Sequence, residues 1–240
     1  MKGVVLAGGL GTRLHPLTKI TNKHLLPVFN KPMIFYPVQT LADAGVRELL
    51  VVTGGNNAGD FIRLLGTGKA FGLRRIEYVY QEGEGGIADA LRLAEDFADG
   101  GKLIIMLGDN IVQKSIRRGV AGFKSGARIF LKAVPNPRDY GVAEIKAGKI
   151  VRIIEKPKRP ASPYAVIGIY MYDAGVFDIV RTLQPSKRNE LEITDVNNAY
   201  LRRGELHYEI LDGWWADAGA SPQKLLETSL QVAREQGVKL

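Results

Sequence analysis

The apolar positions of the chain follow two rhythms. Residues 2–6 form a short branched apolar run that ends on glycines, the pattern of a buried strand. Residues 33–44 have the spacing of a helix, with Pro32 suited to its first turn and Gly45 to its end. Pro37 should kink that helix or limit its regularity. Residues 48–53 read as a strand, 60–65 as a helix and 76–80 as a strand. Ile87, Ala90, Leu91, Ala94 and Phe97 recur on one face and predict a helix over residues 87–97. Leu103–Leu107 is again a strand. Strand–helix alternation of this kind predicts a largely parallel sheet covered on both faces.

The second half breaks the rhythm. Residues 128–134, 142–146, 150–155 and Tyr164–Tyr172 read as strands, with a turn at Ala147-Gly148. Residues 157–163 carry three prolines and form an extended connection. Helices are predicted over 176–183 and 193–203. Ser221-Pro222 has the form of an N-cap followed by a first-turn proline. It opens a last helix with Leu225, Leu226, Ser229, Leu230 and Ala233 turned inward. The expected object is one α/β domain over residues 1–240. Its first half (about 1–125) supplies the parallel sheet, and its second (about 126–240) the antiparallel additions.

Composition narrows the chemistry. With 45% hydrophobic residues the chain can bury a substantial core. It has no cysteine, which excludes disulfides, thiol nucleophiles and cysteine-based zinc sites. His15, His24 and His207 lack metal-ligand spacing and read as surface or loop residues. The apolar start is too short for a signal peptide or a membrane span, so a cytoplasmic location without membrane partners is expected. The net charge of +8, with a pI near 9.6, suits polyanions. The arginine pairs are scattered and no aromatic-interleaved basic stripe accompanies them, so no nucleic-acid partner is expected.

The opening strand runs into Leu6-Ala7-Gly8-Gly9-Leu10-Gly11-Thr12-Arg13-Leu14. Glycines after a first strand let the backbone approach phosphates and aim N–H groups at them. They also fit an ordinary turn. No Gly-Lys-Ser/Thr follows, so this is not a Walker A loop. Leu14 stands at the third glycine position of the dinucleotide fingerprint, so it is not that either. Arg13 inside the loop offers a guanidinium fork for phosphate oxygens. Asp109 follows Leu103–Leu107, where ligands bind in open α/β sheets, and its carboxylate suits magnesium. Gln81, at the end of another strand, offers a donor and an acceptor, as a pyrimidine edge needs.

Between Leu6 and Pro37 the chain carries LAGG-x-GTRL, then Lys23, Leu25-Leu26-Pro27-Val28 and Lys31-Pro32-Met33. This pattern resembles the sugar-1-phosphate nucleotidyltransferases, most closely the branch that transfers a thymidylyl group to glucose-1-phosphate. The resemblance runs through the whole chain. It implies a Rossmann-like mixed, mostly parallel sheet flanked by helices, with antiparallel sugar-binding additions. It implies a reaction between a nucleoside triphosphate (dTTP or UTP) and a sugar-1-phosphate, dependent on Mg2+. By the same resemblance Leu6, Gly8, Gly9, Gly11, Thr12 and Arg13 hold the nucleotide with Gln81, Gly86 and Asp109. Arg13 and Lys23 are the catalytic cations. Asp109 and Asp217 bind the metal. Tyr140, Gly141, Glu155, Lys156, Val166, Tyr170 and Arg188 hold the sugar phosphate.

Two departures stand out: Ala218 replaces the family's threonine beside Asp217, and Asn189 replaces glycine beside Arg188. Longer members continue with helices used in regulation and assembly. The chain ends soon after Gly237, so inherited feedback control and a tetramer are not expected, and a smaller homo-oligomer or a monomer stays open. Two readings of other classes compete with the transferase reading. One is a catalytically silent nucleotide-sugar sensor, for which four retained residues (Arg13, Lys23, Asp109 and Asp217) would be superfluous. The other is salt-sensitive binding of duplex nucleic acid through the basic surface.

Overall fold

The computed structural model describes residues 1–239, with the backbone alone at Asn56. The chain opens with β1 (Lys2–Ala7), the glycine loop and a small hairpin of β2 (Pro27–Val28) and β3 (Lys31–Pro32), then α1 (Phe35–Asp43). The alternation continues through β4 (Glu48–Gly54), α2 (Ala58–Leu65), β5 (Arg75–Gln81), α3 (Ile87–Arg92), α4 (Glu95–Ala98) and β6 (Leu103–Leu107). The second half begins with β7 (Asn110–Val112), α5 (Arg117–Ala121), β8 (Ala127–Ala133), β9 (Gly141–Lys146), β10 (Lys149–Glu155) and β11 (Tyr164–Tyr172). It closes with α6 (Val176–Thr182), α7 (Ile193–Arg202), β12 (Leu206–Ile210), β13 (Trp215–Asp217) and α8 (Pro222–Glu235).

Strands β6, β1, β4 and β5 lie side by side and run parallel. Parallel neighbours need crossovers, and the crossover helices bury both faces. Val4 and Leu6 point to one face, beneath Leu91, Phe177, Val196 and Tyr200 of α3, α6 and α7. Val5 and Ala7 point to the other, beneath Val38, Leu41, Phe61 and Leu65 of α1 and α2. Burial on both faces explains the apolar runs of β1, β4 and β6; β5, at the edge of the sheet, is mixed in sequence and largely half-buried or exposed. The expected mixed α/β architecture is the one observed.

The antiparallel part is organised by β11. Its C-terminal half pairs with β6, its N-terminal half with β9, and β8 follows its other edge with a register shift between Val166 and Tyr170. The sheet therefore forks beside Gly168. A Cβ at that glycine would lie 2.5 Å from Leu107 Cγ, so only glycine lets β11 pass the end of β6 this closely. Asp109 leaves the sheet beside this fork. The β7–β13 ribbon sets Asp217 opposite Asn110, which brings the late carboxylate to the early one. Helix α8 covers the ribbon and the glycine loop through Leu225 and Val232, packed with Leu14, Met33, Ile111 and Ala218. Ser221 caps it by accepting from the Lys224 N–H at 3.1 Å.

The structure corrects several expectations. Pro32 lies in β3, and α1 starts at Phe35. Pro37 is therefore the first-turn proline, where its missing N–H breaks no helical bond and no kink is needed. The helix expected over 87–97 divides into α3 and α4, because Ala94 bonds back three residues to Leu91 and tightens the turn. The inward face of α8 is Leu225, Thr228, Val232 and Ala233, whereas Leu226 is 60% exposed. Elements α5, β7, β12 and β13 were not expected. They are five residues or fewer, and β12 is only half-buried, so no apolar period marks them. Among the described residues no helix is long and apolar enough to cross a membrane.

Candidate active site

A cavity of about 320 Å3 opens at the C-terminal ends of β1, β5 and β6. Of the residues singled out from the sequence, Leu6, Gly8, Gly9, Arg13, Lys23, Gln81, Gly86, Asp109, Lys156, Arg188 and Asp217 line it. Gly11 and Thr12 lie in the loop behind it. Tyr140, Gly141, Glu155, Val166 and Tyr170 are not in its lining; Gly141, Glu155, Val166 and Tyr170 lie on β9, β10 and β11, and Tyr140 just before β9.

The glycine loop is shaped by close contacts. Gly11 adopts φ 68°, and a side chain there would meet Lys23 Cβ at 2.9 Å. Leu14 is fully buried and anchors the loop, which leaves the exposed Arg13 at the rim of the cavity.

The two carboxylates differ sharply. Asp109 is 5% exposed and accepts from Lys23 Nζ at 2.5 Å and from Asn110 Nδ2 at 3.0 Å. Burial alone would raise its pKa, but the Lys23 charge and these hydrogen bonds outweigh it and hold the carboxyl below the usual range. Asp217 is pushed up to about 7, first by burial and then by the charge of Asp109. Gly219 lets the two arms meet, since a Cβ there would lie 2.5 Å from Asp109 Oδ2. Ala218 is fully buried and its N–H donates to the Asp109 carbonyl at 2.9 Å. The backbone clasp is intact without a hydroxyl at position 218.

Among the site residues that the sequence reading did not single out, His24 and Asn110 bear most on the carboxylates. His24 is 2% exposed, contrary to the surface location expected for it. Its Nδ1 faces Asn22 Oδ1 at 2.7 Å. Burial first, and the Lys23 charge second, lower its pKa to about 3, so the ring is neutral at neutral pH. The acceptor opposite Nδ1 puts the proton there and leaves Nε2 with its lone pair. Asn110 is the other. Its Oδ1 accepts from Trp215 Nε1 at 2.7 Å and from the Gly168 N–H at 3.1 Å, while its Nδ2 holds Asp109. One buried amide thus ties the β6 end, the Asp217 strand and the sheet fork together. Only its place beside Asp109 marked it in the sequence.

On the base side, Gln81 donates through Nε2 to Asp89 Oδ2 at 2.9 Å, with the Gly86 carbonyl at 3.4 Å. The amide nitrogen is therefore engaged inside the protein, and only the oxygen is left for a ligand. Gly86 has φ 94° and lies so close to the Leu191 carbonyl that a Cβ would approach it to 2.7 Å.

On the flank, Glu155 Oε2 accepts from Thr194 Oγ1 at 2.6 Å, and Gly141 pairs with Val166 beside them. Lys156 is held at φ 40° with its N–H on the Tyr140 carbonyl at 3.1 Å, a costly backbone conformation for lysine. Tyr140 packs edge-on against Trp215 with centroids 5.4 Å apart, and burial, then Asp217, push its hydroxyl up to about 12. Tyr170 is buried, and burial, then Glu155, raise its hydroxyl further. Arg188 donates to Glu192 at 2.7 Å and lies 3.5 Å from Glu155. Asn189 takes φ 58°, a left-handed conformation that glycine adopts freely and asparagine tolerates better than most residues.

Comparison with known proteins identifies the family. The model of the nucleotidyl transferase family matches residues 2–235, and the chain belongs to that family. It is similar to the glucose-1-phosphate thymidylyltransferase of Actinoplanes sp., at 45% identity over 100% of this chain and 82% of that protein. It is similar to the enzyme of the same name from Mycolicibacterium smegmatis, at 44% identity over 100% of this chain and 86% of that one. A crystal structure from Bacillus anthracis, described as a glucose-1-phosphate thymidylyltransferase in complex with a sucrose, superposes with a TM-score of 0.93 at 46% identity, over 100% of this chain and 97% of the other. A UDP-glucose pyrophosphorylase complexed with UDP-glucose shares the fold, with a TM-score of 0.86 at 24% identity over 98% of both chains.

Proposed function

We propose that the protein transfers a thymidylyl group from dTTP to glucose-1-phosphate, giving dTDP-glucose and pyrophosphate. The observation that carries this reading is the convergence of Arg13, Lys23, Lys156 and Arg188 on one cavity with the carboxylates of Asp109 and Asp217. The names of the relatives support the same reaction.

In this reading an oxygen of the sugar phosphate attacks the α-phosphorus of the triphosphate. The bond from that phosphorus to the β-phosphate oxygen breaks, and pyrophosphate leaves with the electron pair. The obstacle is repulsion between two polyanions, so positioning and charge neutralisation carry the catalysis. Arg13, on its glycine loop, receives the β- and γ-phosphates. Lys23, now on Asp109, reaches the α-phosphate. Lys156 and Arg188 orient the incoming phosphate; the five N–H groups of Arg188 allow it to do so while keeping a carboxylate partner. The attacking oxygen is already anionic near neutral pH, so no general base is required. The neutral His24, its Nδ1 occupied by Asn22, fits that role-free state.

The carboxylate pair fits magnesium. Asp217 is pushed up by burial first and then by the charge of Asp109, and a cation held between the two carboxylates would relieve that repulsion. Among the described residues no third His, Cys, Asp or Glu joins them, as suits an ion that keeps water and phosphate oxygens in its shell. Bound by these two residues, the ion would supply charge neutralisation on the phosphate oxygens.

The test is pyrophosphate release from a panel of nucleoside triphosphates. Release from dTTP that requires both glucose-1-phosphate and magnesium is expected. No release with any triphosphate, with glucose-1-phosphate or another sugar-1-phosphate, would overturn the reading. UTP is the second reading, since uracil presents the same N3–H to Gln81; the ratio of the dTTP and UTP rates decides between them.

A further inference from the structure

We infer that Asp89 sets which base the cavity accepts, by fixing the orientation of the Gln81 amide; the inference rests on the reading of the cavity as a pyrimidine triphosphate site. Gln81 is buried at the end of β5 and lines the cavity. A primary amide can turn either its N–H groups or its oxygen toward a ligand. Here the choice is made by Asp89, in the first turn of α3. Its Oδ2 lies 2.9 Å from Gln81 Nε2, and its Oδ1 is paired with Arg92 at 2.9 Å. A carboxylate only accepts, so the amide nitrogen must face it. The Gly86 carbonyl, 3.4 Å from the same nitrogen, is also only an acceptor.

Two glycines make room for this arrangement. A Cβ at Gly85 would lie 2.5 Å from Asp89 Oδ2, and one at Gly8 would lie 2.6 Å from Gln81 Oε1. The oxygen is thus turned toward Gly8, on the cavity wall. Gln81 meets a base as an acceptor. Thymine and uracil carry an N–H at position 3 and are attracted. Cytosine carries a lone pair there and is repelled. Asp89 touches no substrate; it is a positioning residue that determines specificity through Gln81.

The test compares kcat/KM for dTTP and dCTP, with glucose-1-phosphate and magnesium, in the wild type and in Asp89→Asn and Asp89→Leu. Both variants remove the hold of the Asp89 carboxylate on the Gln81 amide and leave only the longer contact to the Gly86 carbonyl. The wild type is expected to prefer dTTP by about 100-fold or more, and the preference is expected to fall at least about tenfold in both variants, chiefly through KM. N3-methyl-dTTP, which lacks the N–H, is expected to be as poor a substrate of the wild type as dCTP. An unchanged dTTP-to-dCTP ratio in either folded variant would overturn the inference. Full activity of the wild type with N3-methyl-dTTP would overturn it without recourse to the variants. A wild type that turns over no pyrimidine triphosphate would overturn the functional reading instead, and this inference with it.

Discussion

Asp109 and Asp217 are the same residue type in one site, and their surroundings drive them apart. Lys23 and Asn110 keep Asp109 ionised, whereas burial first, and the charge of Asp109 second, push Asp217 up. The sign of the pH dependence follows. With a pKa raised from 3.8 to about 7, Asp217 stays protonated in the folded, metal-free protein while the unfolded chain is ionised, so its contribution to stability falls as pH rises through that window. His24 acts in the opposite sense: lowered from 6.5 to about 3, it costs stability as pH falls through that range. Asp217→Asn should therefore remove a loss of melting temperature between about pH 4 and about pH 7, measured without divalent ions. Magnesium competes with the Asp217 proton, so its stabilising effect should be larger at about pH 8 than at about pH 6 in thermal-shift titrations. Equal shifts at both values would remove Asp217 from the metal site. At Arg13, which is exposed and packs little, substitution by alanine should cut kcat/KM by about 100-fold or more and leave the melting temperature unchanged. Unaltered turnover would contradict its role.

The elements that carry these residues owe their placement to Asn110. Its Oδ1 is the acceptor for both Trp215 Nε1 and the Gly168 N–H. Asn110→Leu leaves both donors unpaired, and about 1–3 kcal/mol of stability should be lost for each in denaturant unfolding. The β13 strand should also loosen from β7, visible as a shift in the indole N–H resonance of Trp215 and a weaker magnesium midpoint. A variant as stable as the wild type would show that the ribbon is held elsewhere. The long elements were legible in the sequence because each buries an apolar face: Leu103–Leu107 and Tyr164–Tyr172 have the bounds expected of them. The ribbon was not, since its pairing depends on a side-chain amide between segments far apart in the chain. His24 misled for a related reason: its burial is imposed by the folding of the Asn22–Lys23 turn over Asp109, which no local period records. At the site, Arg13, Lys23, Gln81 and Asp109 were legible from motif and strand position, whereas the use of the Gln81 nitrogen by Asp89 required the loop to be folded.

Over the whole molecule, the fork at Gly168 separates the parallel part of the sheet from its antiparallel additions. The parallel half offers loop N–H groups, Gln81 at the end of β5 and Arg13 in the glycine loop, where we propose that the triphosphate binds. The antiparallel half brings Glu155, Lys156 and Arg188 to the other side of the same cavity. The acidic pair lies between them, on the β6 end and on the ribbon. We propose that two phosphates meet there, with the sugar phosphate as the nucleophile. The most direct measurement is 31P NMR and mass spectrometry of a reaction of dTTP with glucose-1-phosphate labelled with 18O in its non-bridging phosphate oxygens. The label is expected to remain wholly in the dTDP-glucose, with unlabelled pyrophosphate released. Label in the pyrophosphate, or dTTP consumed without formation of a nucleotide sugar, would contradict the account.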